Sequence, residues 1–290
     1  MRESEVALVI DCLEAHGFLL VTMSGGEPLS HPLFPTIYRT LKNRGFLVTI
    51  CTNGTLIDED TVGLFQRYPP FSLEISVYGT TAEQFRRFTG RDAYHRFVSA
   101  LDLLSAAGID YSLKMPLTRR SLHFARDVEI LARQRNVALR IGTLVYPRLD
   151  RDPAPLMERL PVTDVVSYEY SECYDLTSRQ PAREPTSELR CSSGRNSIVV
   201  DSDCHIAFCG LLREPRFHFS CVRTFSMALT AAAHLRATLE EAYRQGPCSR
   251  CAIADCCLCC PAQSWLHTGS LCSCIPYFRD LAEAKRSYRK

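Results

Sequence analysis

The sequence predicts an α/β fold with a cysteine-rich appendix, on three observations. Helix-like and strand-like segments alternate five times within the first 150 residues. Several of the strand-like runs are apolar and stop at turn residues, as Phe18–Met23 does before Gly25-Gly26 and Phe46–Cys51 before Thr52-Asn53-Gly54. Twelve of the 15 cysteines lie in the last 100 residues. Alternation of this kind implies parallel strands joined by crossover helices, in a doubly wound sheet or a β/α barrel. In both, ligands sit at the carboxyl ends of the strands.

The elements follow in order. Val6, Val9, Ile10 and Leu13 are spaced as one helix face over residues 3–16. Phe18–Met23 reads as a buried strand, His31–Arg44 as a helix and Phe46–Cys51 as a strand. Asp58 is placed to cap a helix running to about Tyr68. Phe71–Tyr78 is a strand, and helices over Thr81–Phe88 and Tyr94–Ala107 are broken around Gly90. Tyr111–Met115 and Val137–Val145 are strands on either side of a helix at Leu122–Arg135. Pro147–Pro161 reads as a surface excursion. The expected division is a barrel-like domain over 1–172, a polar linker at 173–190 and a small domain over 191–290.

Composition narrows the class. Charged residues make up 23% and the hydrophobic class 46%, with a net charge of +2, which gives no reason to expect a nucleic-acid partner or an anionic membrane surface. No apolar run reaches the roughly 18 residues that span a bilayer, and the start lacks a secretory pattern. A cytoplasmic chain is expected, and in a reducing compartment dense cysteines point to metal or iron–sulfur ligation, not disulfides.

Two constellations carry chemistry. Gly25-Gly26-Glu27-Pro28 closes the first strand, and paired glycines allow a backbone to approach a ligand closely, although a plain tight turn explains part of the motif. Cys248-x2-Cys251-x5-Cys257-x2-Cys260 is a tight ligand ladder, followed by Cys274 and preceded by Cys191, Cys204 and Cys209. Short C-x2-C spacing lets two sulfurs reach one metal centre, and structural zinc uses the same pairs as iron–sulfur clusters.

The stretches VTMSGGEPLSHP, ICTNGTLID and LEISVYGTTAEQFRRFTG resemble the radical SAM superfamily over roughly residues 1–150. The cysteine-rich region resembles its auxiliary SPASM domain, with two departures: Cys204 stands where the pattern has a turn glycine, and the ladder ends in x2 where x3 is commoner. The resemblance implies a partial (β/α)6 TIM-like barrel lacking its first strand, followed by the SPASM-like domain. It implies S-adenosylmethionine held by Gly25, Gly26 and Glu27 and by the strand-end residues Asn53, Ser76, Lys114 and Arg140, with adenine stacked against Ile141–Leu144. It implies two auxiliary [4Fe–4S] clusters, one on Cys248, Cys251, Cys257 and Cys274 and one on Cys191, Cys209 and Cys260. Cys204 or Cys221 is offered as a fourth ligand of the latter, which otherwise stays open; Cys256, Cys259 and Cys272 are spares.

The function implied is modification of a peptide or protein by hydrogen abstraction with a 5′-deoxyadenosyl radical, served by an electron donor such as a flavodoxin or ferredoxin. The C-x3-C-x2-C motif that holds the family's catalytic cluster does not occur before Gly25, so this chain as written is not expected to cleave S-adenosylmethionine. The alternative is a non-catalytic peptide-binding module stapled by iron–sulfur or zinc. Among weaker features, His95, His123, His205 and His267 read as solvated, Arg86, Arg87, Arg91 and Arg96 as a basic patch that is a wet face or meets a peptide or acidic carboxylate, Tyr78 as strand-end packing with substrate contact as the alternative, and Trp265 as a packing anchor.

Overall fold

The computed structural model of the protein describes residues 1–171, 189 and 191–288. The linker expected at 173–190 lies, apart from Leu189, outside the described residues. The chain forms two compact units, Arg2–Leu144 and Val145–Lys290 together with Met1.

In the first unit the elements run α1 (Glu3–Ala15), β1 (Leu20–Met23), α2 (Phe34–Asn43), β2 (Leu47–Thr52), α3 (Glu59–Arg67), β3 (Ser72–Ser76), α4 (Ala82–Thr89), α5 (Tyr94–Ala106), β4 (Ser112–Pro116), α6 (Ala125–Gln134) and β5 (Ala138–Gly142). Local chemistry sets their ends. The Asp58 carboxylate accepts from the Thr61 amide at 2.9 Å and caps α3 as its position in the sequence predicts. Thr81 caps α4 in the same way through the Gln84 amide. The last helix of the unit starts three residues later than predicted, because Leu122–Phe124 forms a single 3₁₀ turn ahead of α6.

All five strands are parallel and lie in the order β1-β2-β3-β4-β5. A doubly wound sheet reverses its strand order at a switch point, whereas this one advances one strand at a time. With right-handed crossovers, a steady advance puts every connecting helix on one face, which is the construction of a β/α barrel wall.

The two faces of the sheet differ accordingly. Val48, Ile50, Leu73, Ile75, Val77, Leu113 and Met115 are buried, and the helices bury Tyr38, Phe65, Phe97, Leu101, Leu104 and Val128. Each such side chain contributes about 1.5–3 kcal/mol by leaving water. The alternate residues Thr49, Cys51, Glu74 and Ser76 are half-buried, and Thr22, Lys114 and Arg140 are exposed. This corrects the reading of Phe18–Met23 as a buried strand: Leu19 is 69% and Leu20 61% exposed, at the start of β1, the edge strand of the sheet.

The second unit contains α7 (Val162–Glu169), a small antiparallel sheet of β6 (Val199–Val200), β7 (His205–Ala207) and β8 (Arg216–His218), then α8 (Val222–Gln245), α9 (Pro261–Thr268) and α10 (Pro276–Ser287). Leu189, Phe208, Leu212, Leu239 and Ala262 form a core cluster, with Cys209 and Cys260 packed against it. The division between units falls at Leu144, ahead of residue 172, because α7 packs on α10. Lys285 on α10 pairs with Glu169 on α7 at 2.6 Å, both side chains nearly buried. No described helix is long and apolar enough to cross a membrane.

Candidate functional sites

A cavity of about 560 Å³ opens at the carboxyl ends of the first unit's strands. Its wall is built strand by strand: Ser24, Gly25 and Gly26 after β1, Cys51 to Asn53 and Thr55 at β2, Glu74, Ser76 and Tyr78 at β3, and Lys114 on β4. Phe85, Phe88, Thr89, Arg91 and Ala93 complete the rim. Gly25 has a φ of +142°, and a Cβ added at Gly25 or Gly26 would meet no atom within 4 Å. The glycines therefore bare their backbone to the cavity, and the space a side chain would take is left for a ligand.

Glu27 serves differently from its neighbours. Its carboxylate turns away from the cavity lining and accepts from the Thr52 hydroxyl at 2.7 Å, the Asn53 amide at 2.8 Å and the Leu29 amide at 3.1 Å. It thus ties the glycine loop after β1 to the end of β2. Asn53 lines the cavity, and its carbonyl oxygen accepts from the Thr55 amide and hydroxyl at 2.9 and 2.6 Å. That turn fixes the side chain and leaves its amide nitrogen for another partner.

The cavity floor carries a carboxylate that the sequence reading passed over. Glu74 accepts from Arg140 Nη1 at 2.9 Å and lies 3.7 Å from Lys114 Nζ. The Cys51 thiol stands 3.6 Å from the same carboxylate, and burial, with Glu74 adding to it, pushes that thiol up from its ordinary pKa. Lys114 reaches the cavity, whereas Arg140, 74% exposed along its side chain, is not among the residues lining it. Nor is any residue of Ile141–Leu144, and the Gly142 carbonyl is taken by the Leu117 amide at 2.7 Å. Tyr78, expected to pack, also faces the cavity, stacked on Phe88 with centroids 5.4 Å apart. Of the four arginines of the basic patch, only Arg91 lines it.

The second unit holds a separate cavity of about 370 Å³ lined by Cys191, Cys248, Cys251, Cys257, Cys259, Cys260 and Cys274. The described cysteines are all unbridged. They fall into two neighbourhoods. Burial pushes the Cys248 thiol up to about 11, with Cys257, Cys272, Cys274 and Cys251 adding to it. Burial raises Cys257 as well, where Cys251 and Cys274 are again neighbours. Cys260 is raised by burial and lies in the field of Cys209 and Cys191. The first neighbourhood thus gathers Cys248, Cys251, Cys257, Cys272 and Cys274, the second Cys191, Cys209 and Cys260, and Cys259 stands between them, raised by burial and by Cys257, Cys248, Cys260 and Cys274.

The donor chemistry fits a thiolate-bound group. Crowded, half-buried thiols resist ionisation one by one, and a metal centre that neutralises them removes that penalty. Backbone amides already point at the sulfurs, as Leu212 N–H does to Cys209 Sγ at 3.1 Å. Among the described residues no three Cys, His, Asp or Glu groups are set at the distances of a single bound ion. Cys204, Cys209 and Cys221 are absent from the cavity lining, although Cys209 lies beside Cys191 and Cys260. Cys204 is buried at the start of β7 with a φ of +58°, the left-handed conformation a glycine takes most easily, at the place where the SPASM pattern has its turn glycine. Cys221 caps α8 in solvent, its thiol drawn down by the Thr224 hydroxyl.

Two expectations for α9 and its surroundings are corrected. Trp265 is 38% exposed and lies under the Arg151 guanidinium at 5.4 Å, so it is no core anchor. His267 is not a solvated histidine: Nε2 is 3.1 Å from Arg159 Nη2, and the ring packs edge-on against Phe278.

Residues 1–119 match the family model described as the radical SAM superfamily. Among curated proteins, the AdoMet-dependent heme synthase of Methanosarcina barkeri is 27% identical over 147 residues, 50% of this chain and 40% of that protein. The mycofactocin maturase MftC of Mycobacterium ulcerans is 31% identical over 139 residues, 47% of this chain and 37% of its own length. The match thus takes in less than half of either relative. Among solved structures, anSMEcpe with bound AdoMet and the Cp18Cys peptide superposes with a TM-score of 0.72 at 17% identity, covering 99% of this chain and 89% of the other. SuiB of Streptococcus suis bound to S-adenosylmethionine gives 0.62 at 14%, covering 93% and 69%. At these identities the likeness is one of fold.

Proposed function

We propose that this chain, whose residues 1–119 match the radical SAM superfamily model, binds S-adenosylmethionine in the strand-end cavity, holds two auxiliary [4Fe–4S] clusters in its second unit, and acts on a peptide or protein side chain. The observation that carries the reading is the bared Gly25-Gly26 backbone opening on a cavity with Asn53, Ser76 and Lys114 on the facing strand ends.

Each residue has a physical task. The Gly25 and Gly26 backbone meets the cofactor's amino group, and Glu27 keeps that loop in register with β2. Asn53 and Ser76 offer hydrogen bonds to ribose, and Lys114 offers a cation to the carboxylate. Arg140 acts one step back, through the Glu74 carboxylate that it shares with Lys114. When bound and reduced by an iron–sulfur cluster, S-adenosylmethionine supplies one-electron hydrogen abstraction; the protein's part is to orient the reactants and exclude water.

In the second unit Cys248, Cys251, Cys257 and Cys274 would hold one cluster, and Cys191, Cys209 and Cys260 would give three ligands to the other. The peptide-directed reading draws support from the maturase relative and from the peptide in the anSMEcpe structure. An electron donor of the flavodoxin or ferredoxin kind completes it.

Equilibrium dialysis of the full chain against labelled S-adenosylmethionine tests the first part. One saturable site, competed by S-adenosylhomocysteine, is expected; no saturable binding would sink it.

A further inference from the structure

The thiol-lined cavity has a cation built in behind it. Arg236, near the middle of α8, has a side chain only 6% exposed. Its Nη1 donates to the Cys191 carbonyl and the Ser193 carbonyl, each at 2.8 Å, and its Nη2 donates to the Leu189 carbonyl at 2.9 Å. The same Nη1 lies 3.9 Å from Cys191 Sγ, and Nη2 is 2.8 Å from Glu240 Oε1. Nε, also buried, has no hydrogen-bond partner among the described residues. A buried guanidinium is costly, and its retention here calls for partners of this number and geometry.

We propose that Arg236 is a positioning residue of the auxiliary centre on Cys191, Cys209 and Cys260: its fork fixes the backbone on both sides of Cys191 and its charge faces the sulfur. The planar, always-charged guanidinium can span three carbonyls and a thiolate at once, which an ammonium cannot. Cys191 is otherwise an exposed residue, and the clamp holds the carbonyls of Leu189, Cys191 and Ser193 that bracket its sulfur. The metal ligand is the thiolate, and a permanent cation at its side lowers the cost of gathering three negative sulfurs. Charge near a cluster also sets its reduction potential.

The inference rests on the reading of this site as an iron–sulfur centre, and the experiment separates the two. Full-length wild type, Arg236→Met and Arg236→Lys are reconstituted without oxygen, and iron, sulfide, far-UV circular dichroism and midpoint potentials are measured. The wild type is expected to carry about eight irons in two four-iron clusters. Arg236→Met should keep the helical spectrum and lose about half of the iron and sulfide. Arg236→Lys, which retains the charge but cannot span the three carbonyls, should recover only a minor part of that loss. Full iron with unchanged potentials in Arg236→Met would overturn the proposal. Equal loss of both clusters with a collapsed spectrum would also overturn it, because Arg236 would then serve folding alone. A wild type that binds zinc without sulfide would instead defeat the underlying reading.

Discussion

The Glu27 carboxylate accepts a hydrogen bond from the Thr52 hydroxyl at 2.7 Å, and through it the loop after β1 is fastened to the last residue of β2. The acidic residue of the glycine motif is thus the fixture that holds Gly25 and Gly26 open. Glu27→Ala should leave the Asn53 amide and Thr52 hydroxyl short of a partner and cost roughly 1–3 kcal/mol in urea unfolding. It should weaken S-adenosylmethionine binding in dialysis at the same time. An alanine variant as stable as wild type would refute the clamp.

Gly26→Asp separates binding from folding. Gly26 does not have a positive φ, and a Cβ there meets nothing within 4 Å, so the fold has no reason to suffer. The new side chain projects into the ligand's space and brings a negative charge to it. Affinity for S-adenosylmethionine should fall at least tenfold, about 1.4 kcal/mol, with the melting temperature unchanged. Unchanged affinity would place the cofactor elsewhere.

Much of this was legible before the structure, and the failures have physical causes. The strand-end loops announce themselves through Gly25-Gly26 and Thr52-Asn53-Gly54, because only turn residues fit there, and paired cysteines are visible at any burial. Glu74 escaped because a single carboxylate between Leu73 and Ile75 in a strand carries no local signal, and because its partners Lys114 and Arg140 lie 40 and 66 residues away. Arg236 escaped because it is one of three arginines in a 24-residue helix, and its i,i+4 pair with Glu240 looks like any surface pair; the carbonyls it holds come from residues 43–47 positions earlier. Trp265 and His267 exchanged their expected roles. Two positions apart on a helix is a rotation of about 200°, so when one side faces inward the other faces out, and α9 turns His267 inward.

The two thiol neighbourhoods should load independently. Cys257→Ser removes a ligand from one set and Cys260→Ser from the other, so each variant should retain about four of about eight irons, and the double variant almost none. Mössbauer spectra of each single variant should then show one cluster type. Stoichiometric zinc without inorganic sulfide would replace this reading with a structural zinc site.

The last expectation concerns acid. Burial, with Arg159 adding to it, lowers His267 from its ordinary 6.5 to about 4. Its Nε2 faces the Arg159 guanidinium and must be unprotonated to accept from it, while Arg159 itself lies over the Tyr277 ring at 4.3 Å. The folded state therefore favours neutral histidine. Between pH 6.5 and 4 the unfolded chain binds a proton that the folded chain refuses, so stability rises with pH across that window. The contribution is complete above about 6.5 and lost as the pH falls toward 4. His267→Gln keeps an acceptor and removes the titration. Melting temperatures of wild type and variant should run together above pH 7 and separate below 6, with the wild type falling faster. Curves that stay parallel down to pH 4 would show that the Arg159–His267 contact does not govern acid stability.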